Sequence, residues 1–246
     1  MRSYCLLATP RSGSTLIHTI LAEYLRKAQN VTGLYEFFNL RQRVHIREGL
    51  LRPGAYAKEA PPLDLYERLV EQRMRMLDEA PGRYFFSVHP GQLDNRRLWG
   101  WLFKNHHVVF CERLNLFDQY LSYLISLKTE QWNGPARLHV PEGTLELKPQ
   151  YAERIANRLA EWYTVYRALK TRAPSNPVIV YEEVTRELQP ERICQAAGFN
   201  KAIPLDELEL PVKQNPAADG KLKYFTDPGA ALDGYRRTAL QDWYPI

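Results

Sequence analysis

Tyr4-Cys5-Leu6-Leu7-Ala8-Thr9-Pro10-Arg11-Ser12-Gly13-Ser14-Thr15-Leu16 decides the fold. Tyr4 to Ala8 is short and continuously apolar, as a strand buried on both faces should be. A turn at Pro10–Gly13 follows, and then a helix over Thr15 to Lys27 with Leu16, Ile20, Leu21 and Leu25 on one face. Gly13 permits the tight turn that lets successive N–H groups converge on one point. The helix beginning there adds the positive end of its dipole, so the corner is an anion site. Ser12, Ser14 and Thr15 can donate further hydrogen bonds, and Arg11 brings a forked cation. Helix capping accounts for Ser-Gly-Ser-Thr at such a corner; it does not account for the Arg.

Outward from this corner, β-rich apolar runs alternate with helical patterns. This predicts a three-layer α/β fold with a mostly parallel central sheet and a P-loop-like strand–loop–helix. Further strands are expected over Arg83–His89, His107–Cys111 and Val178–Tyr181, and helices over Leu65–Leu77, Leu93–Phe103, Leu116–Leu127, Tyr151–Lys170 and Glu191–Ala197. Segments 41–62 and 129–149 read as irregular insertions, and the tail from Pro211 has no steady period. With 246 residues, 45% of them hydrophobic, and no Gly- or Pro-rich linker, a single domain over 1–246 is expected. Cys5, Cys111 and Cys194 are too few and too scattered for a disulfide framework or a zinc site. No apolar run reaches the ~20 residues of a membrane span, and the start of the chain does not read as a secretory leader. A cytoplasmic protein is therefore expected. The net charge of +5 suits anionic ligands and does not imply nucleic acid. The sequence is compatible with a homodimer without requiring one.

A Walker A loop needs Gly-x-x-x-x-Gly-Lys-Ser/Thr, and neither its first Gly nor its Lys is here. The loop suits a phosphate-like group but lacks the magnesium apparatus of a kinase. A second feature lies on the helix after Val108-Val109-Phe110-Cys111. Asn115, Gln119, Ser122 and Ser126 form a polar stripe, and Asp118 is the single charge between Leu116 and Leu127. A solvated face would carry Lys and Glu, so this stripe is expected to line a buried pocket.

Pro10-Arg11-Ser12-Gly13-Ser14-Thr15-Leu16 resembles the 5′-phosphosulfate loop of sulfotransferases that use 3′-phosphoadenosine 5′-phosphosulfate (PAPS), in the Arg-bearing form of the bacterial trehalose 2-sulfotransferase-like branch. The resemblance covers about residues 3–40, 83–127 and 150–200. It implies that Arg11, Ser12, Gly13, Ser14 and Thr15 hold the phosphosulfate and that Arg113 and Ser122 hold the 3′-phosphate. Glu36, in Gly33-Leu34-Tyr35-Glu36-Phe37-Phe38, becomes the base that takes the proton of a hydroxyl acceptor. His89 stands where the family is expected to carry Lys. It can neutralise charge only when protonated, share the base role, or be structural. Lys213 and the later cations Lys221, Lys223, Arg236 and Arg237 fall where the family closes a loop over the nucleotide, near 211–237. The implied activity is sulfuryl transfer to a small-molecule or carbohydrate hydroxyl, with no metal required. The alternatives are a nucleotide or small-molecule kinase with a degenerate loop, or a nucleotide-binding module without turnover.

Overall fold

The computed structural model describes residues 2–47, 50–57, 59–92, 96–130, 140–185, 189–199 and 218–246. Their elements follow in the order β1 (Tyr4–Ala8), α1 (Ser14–Gln29), β2 (Thr32–Tyr35), β3 (Gln42–Arg47), β4 (Leu50–Tyr56), α2 (Tyr66–Glu79), β5 (Tyr84–Val88), α3 (Arg96–Asn105), β6 (His107–Glu112) and α4 (Leu116–Thr129). The chain continues through α5 (Pro149–Arg172), β7 (Val178–Val180), α6 (Tyr181–Thr185), α7 (Pro190–Ala196), α8 (Ala218–Lys221), α9 (Pro228–Arg236) and α10 (Ala239–Trp243).

Five strands form one parallel sheet in the order β2-β5-β1-β6-β7. Alternate residues of a strand point to opposite faces, and the core divides accordingly. Cys5, Leu7, Tyr84, Phe86, Val108 and Phe110 pack on one face against Val70, Leu77, Leu98, Leu102 and Tyr166. Leu6, Ala8, Phe85, Val109 and Cys111 pack on the other against Ile17, Ile20, Leu21, Ile193 and Cys194. Continuous apolar strands are what two covered faces demand, so the α/β fold with a parallel central sheet holds. A third cluster joins α4, α5, α9 and α10 around Tyr120, Leu121, Leu159 and Tyr235.

The chain leaves β1 toward one edge of the sheet and β6 toward the other, which opens a crevice between their carboxyl ends. Ligands of open α/β sheets bind at such a switch point. Among the described residues no helix is long and apolar enough to cross a membrane.

Three local expectations are corrected. Segment 41–62 contains an antiparallel hairpin, β3 with β4, where an irregular insertion was expected. Pro53 pairs opposite Val44 beside a register shift, and a two-stranded ribbon tolerates a missing N–H there. The described part of the tail is mostly helical. Its helices are too short to show a period, and packing fixes them: Gly234 of α9 sits so close to Ala152 of α5 that an added Cβ would come within 2.6 Å. Tyr181 opens α6 and does not extend the strand before it. The strand β2 went unforeseen, for four residues carry too little pattern.

Candidate active site

A parallel sheet brings the carboxyl ends of its strands to one edge. Across the order β2-β5-β1-β6-β7, the residues just past those ends are Glu36, His89, the loop from Thr9 to Gly13, Arg113 and the pair Tyr181-Glu182. Residues as far apart in sequence as Thr9 and Glu182 thus meet on one rim.

Arg11 and Gly13 both adopt the left-handed backbone region, with φ of 61° and 86°. For Gly13 this is cheap; for Arg11 it costs on the order of 1–2 kcal/mol. Gly13 is required twice over, because an added Cβ would lie 2.1 Å from the ring of Tyr181. As N-cap of α1, Gly13 supplies no side-chain hydrogen bond, and the first turn holds no acidic residue. A helix leaves its first N–H groups without internal partners, so the positive end of α1 faces the loop.

Arg11 is anchored at both ends. Its Nε donates to Ser122 Oγ at 3.2 Å, and its carbonyl accepts from Arg113 Nη1 at 2.9 Å. Burial foremost, then the neighbouring Arg113, lowers the Arg11 pKa to about 10, so the guanidinium stays charged at neutral pH. The polar stripe of α4 is buried as expected: Gln119, Ser122 and Ser126 are almost wholly covered. Gln119 Nε2 donates to Thr9 Oγ1 at 2.8 Å and to the Pro10 carbonyl at 2.5 Å, fixing the loop. Asn115 caps α4 by accepting from the Asp118 N–H at 2.8 Å.

Arg113 is more heavily engaged than its sequence position suggests. It pairs with Asp118, lies 5.0 Å over the Tyr181 ring, and stands 3.8 Å from Glu182. Asp118 also accepts from Lys221 Nζ at 2.5 Å. Lys221 is 2% exposed, which ties the start of the tail to the loop. Glu182 in turn accepts the N–H groups of Leu114 and Asn115, each at 3.0 Å. The Arg113 Nε–H has no hydrogen-bond partner among the described residues.

On the other side of the loop, Ser14, Thr15, His18, Tyr35, Glu36, Ser87 and His89 line one cleft. His89 Nδ1 donates to the Ala8 carbonyl at 2.7 Å and presents Nε2 to the Glu36 carboxylate at 3.4 Å. Burial lowers the His89 pKa, but the hydrogen bond and charge of Glu36 and the Ala8 carbonyl outweigh it, and the net shift is upward. Glu36 also accepts from Asn39 Nδ2 at 2.9 Å. Its loop is held from behind by Arg73 of α2, which donates to the carbonyls of Phe37 and Gln42 and lies 5.0 Å over the Phe37 ring.

The structure therefore brings Arg11, Ser12, Gly13, Ser14 and Thr15 into one loop, joins Arg113 and Ser122 to one flank of it, and sets Glu36 and His89 on the other. Lys213 lies outside the described residues. Lys223 does not reach the loop network; it pairs with Glu142 at 2.6 Å on the surface. Sequence reasoning named Lys221 among the tail cations but missed its burial, and it missed His18, Ser87 and the role of Asp118 as the bridge between Arg113 and Lys221. Asp118 had left a sign, as the single charge between Leu116 and Leu127.

No family model matches this sequence, and no curated protein does. Among solved structures, the sulfotransferase domain from the Synechococcus PCC 7002 olefin synthase aligns with 100% of this chain and 88% of its own, at 16% identity and a TM-score of 0.42. That likeness is too distant to bear on the chemistry.

Proposed function

We propose that this protein is a sulfotransferase that moves a sulfuryl group from PAPS to a hydroxyl of a carbohydrate or similar small molecule. The observation that carries this proposal is the cleft in which Ser14 and Thr15, at the uncapped start of α1, face the Glu36–His89 pair. An anion-binding corner and a carboxylate base stand on one rim, which is what transfer between a phosphosulfate and a hydroxyl needs. The donor fits the residues present: the loop and Arg11 suit the phosphosulfate, and the Arg113 Nε–H, which makes no hydrogen bond among the described residues, suits a second phosphate.

When bound, the donor supplies an activated sulfuryl group on a phosphate leaving group. Arg11 and the first-turn N–H groups of α1 balance the charge on that phosphate as the sulfur–oxygen bond breaks. Glu36 takes the acceptor's proton as the new oxygen–sulfur bond forms. His89, whose pKa Glu36 and the Ala8 carbonyl pull upward against burial, keeps the carboxylate aimed and adds a positive charge at the cleft when it is protonated. The protein thus contributes positioning and charge stabilisation, with no covalent intermediate.

Transfer of radiolabelled sulfate from PAPS to a carbohydrate and metabolite extract tests the proposal directly. A labelled product is expected, and Arg11→Ala should lower kcat by roughly 10²–10³. Binding of ATP as tight as that of PAPS would overturn it.

A further inference from the structure

Tyr35 is a large aromatic side chain that the transfer reaction leaves without a task, and it is 48% exposed. It lines the cleft together with Glu36, the next residue, and with Ser14, Thr15, Ser87 and His89. The backbone is bent to put it there. Gly33 pairs with Phe85 and Tyr35 with Phe86, so Leu34 is the extra residue of a bulge at the end of β2. Bulges at strand ends re-aim the side chains beside them. Tyr35 also has φ of 52°, a left-handed conformation that is unfavourable for a bulky residue. A tight turn follows at once, in which the Phe37 N–H donates to the Tyr35 carbonyl at 2.9 Å. Strain of this kind persists where the surrounding structure holds it, and it gathers at ligand sites.

The ring is fixed from behind. It stacks on His18 at a centroid distance of 4.8 Å and an interplanar angle of 24°, and His18 stacks on Phe85 at 4.4 Å and 19°. His18 is itself 2% exposed. Tyr35 is thus the outermost ring of a three-ring stack. With one face covered by His18, its 48% exposure leaves the opposite face open, and no second ring stacks there among the described residues. A ring already held in place loses little freedom when a ligand covers it.

The open face carries the negative side of the ring quadrupole, which attracts C–H groups. The other walls of the cleft are hydroxyl, carboxylate and imidazole. A ligand that matches both has an apolar C–H face and a rim of hydroxyls. An open-chain polyol matches the polar walls alone, and a plain phenol matches the aromatic one alone.

We propose that Tyr35 is a specificity-determining residue: its open face stacks on the C–H face of a pyranose while Glu36 takes the proton of a hydroxyl on that ring's rim, so the cleft selects cyclic sugars over open-chain polyols. The kind of reaction rests on the sulfotransferase proposal; the stacking does not.

Two measurements test this separately. In the first, sulfate transfer from PAPS is compared between methyl β-glucoside and sorbitol. Wild type should favour the glucoside by roughly 10–100-fold in kcat/KM. Tyr35→Phe keeps the ring and should keep that ratio within about twofold. Tyr35→Ala should lower the ratio by about tenfold, through loss of the glucoside reaction with that of sorbitol nearly unchanged. Should Tyr35→Ala not fold, Tyr35→Leu serves instead, since it keeps apolar bulk over His18 without a flat face. A residue that merely props up Glu36 would lower both acceptors alike, so equal losses, or an unchanged ratio, would overturn the proposal.

The second measurement needs no turnover. With methyl β-glucoside in excess, saturation of the aromatic protons of the wild-type protein should pass to the axial protons on one face of the sugar ring. In Tyr35→Leu that transfer should be lost. Transfer spread evenly over both faces, no transfer at all, or transfer that survives in Tyr35→Leu would overturn the proposal. If no acceptor is sulfated while the one-sided contact persists, the transferase assignment fails and the pyranose platform stands.

Discussion

On one side of the phosphate loop, Arg11, Arg113, Asp118, Glu182 and Lys221 are tied to one another by ion pairs and hydrogen bonds. On the other side, Glu36, His89, His18 and Ser87 meet in pairs, and a buried ring nitrogen is left without a partner among the described residues. The first side spends its charges on holding a shape. Desolvating Asp118, Arg113 and Lys221 is costly, and it is offset only because each charge meets an opposite one at close range. The second side lines a cleft with Ser14, Thr15, Glu36 and His89 and carries fewer ion pairs. Under the proposed function, the charged side would be the wall for the constant donor and the cleft the place for the varying acceptor.

The largest effect should come from breaking the cleft alone. Glu36→Gln keeps the size and the bond from Asn39 but cannot take a proton. The rate should fall by about 10²–10⁴ while nucleotide affinity stays nearly intact. His89→Asn should cost less, since it weakens the aim and charge of Glu36 without removing the base. Steady-state kinetics with calorimetric titration of adenosine 3′,5′-bisphosphate would show both. A parallel loss of nucleotide binding in Glu36→Gln would mean that the two sides act as one.

Breaking the charged wall is the converse. Arg113→Ala should weaken adenosine 3′,5′-bisphosphate binding by roughly 10–150-fold, the value of a charge-assisted hydrogen bond, and leave adenosine 5′-monophosphate nearly unaffected. Equal losses for both nucleotides would show that Arg113 serves the loop through its bond to the Arg11 carbonyl and not a 3′-phosphate.

The two sides also differed in how far the sequence disclosed them. The wall left local signals: an Arg in a capping motif, and a helix from Leu116 onward almost without charge. Both survive in the structure as the loop and its buried polar stripe. The cleft left few, because its pairs join distant stretches. His18 and Ser87 are 69 residues apart, and nothing near either one marks it. Lys221 was visible as a cation, but its burial depends on Asp118, 103 residues away. The hairpin of β3 and β4 was hidden by the Pro and Gly content of its second strand, and the tail helices by their shortness. Patterns within an element were legible; contacts between elements were not.

Acid should separate the sides further. A histidine with a lowered folded pKa leaves the unfolded chain holding more protons below pH 6.5, so stability falls as pH drops toward the folded value. For His18 that window runs from 6.5 down to about 3, and for the buried His106, remote from the cleft, from 6.5 to about 4. His89 has the opposite sign: its raised pKa contributes stability below 6.5 that is lost as pH rises through the folded value. Arg11, at about 10, keeps its charge throughout. Urea denaturation of wild type should therefore show a loss between pH 7 and pH 5 to which His18 contributes about 2 kcal/mol. His18→Gln cannot titrate and should lose that much less over the same interval. An identical slope in the variant would mean that His18 is charged in the folded protein.

The smallest effect tests the wall at a neutral residue bonded to it, Ser122. Ser122 Oγ accepts from Arg11 Nε, and in the proposed function it helps to hold the 3′-phosphate. Ser122→Ala removes a neutral hydrogen bond and creates little space, so adenosine 3′,5′-bisphosphate binding should weaken by only ~0.5–1.5 kcal/mol, or about 2–13-fold. The loss should again spare adenosine 5′-monophosphate. Because Arg11 is also held through its carbonyl by Arg113, kcat should fall far less than in Arg11→Ala. If Ser122→Ala instead matched Arg11→Ala in kcat, the hydroxyl would be what aims the guanidinium, and the wall would depend on that one hydrogen bond more than on its ion pairs.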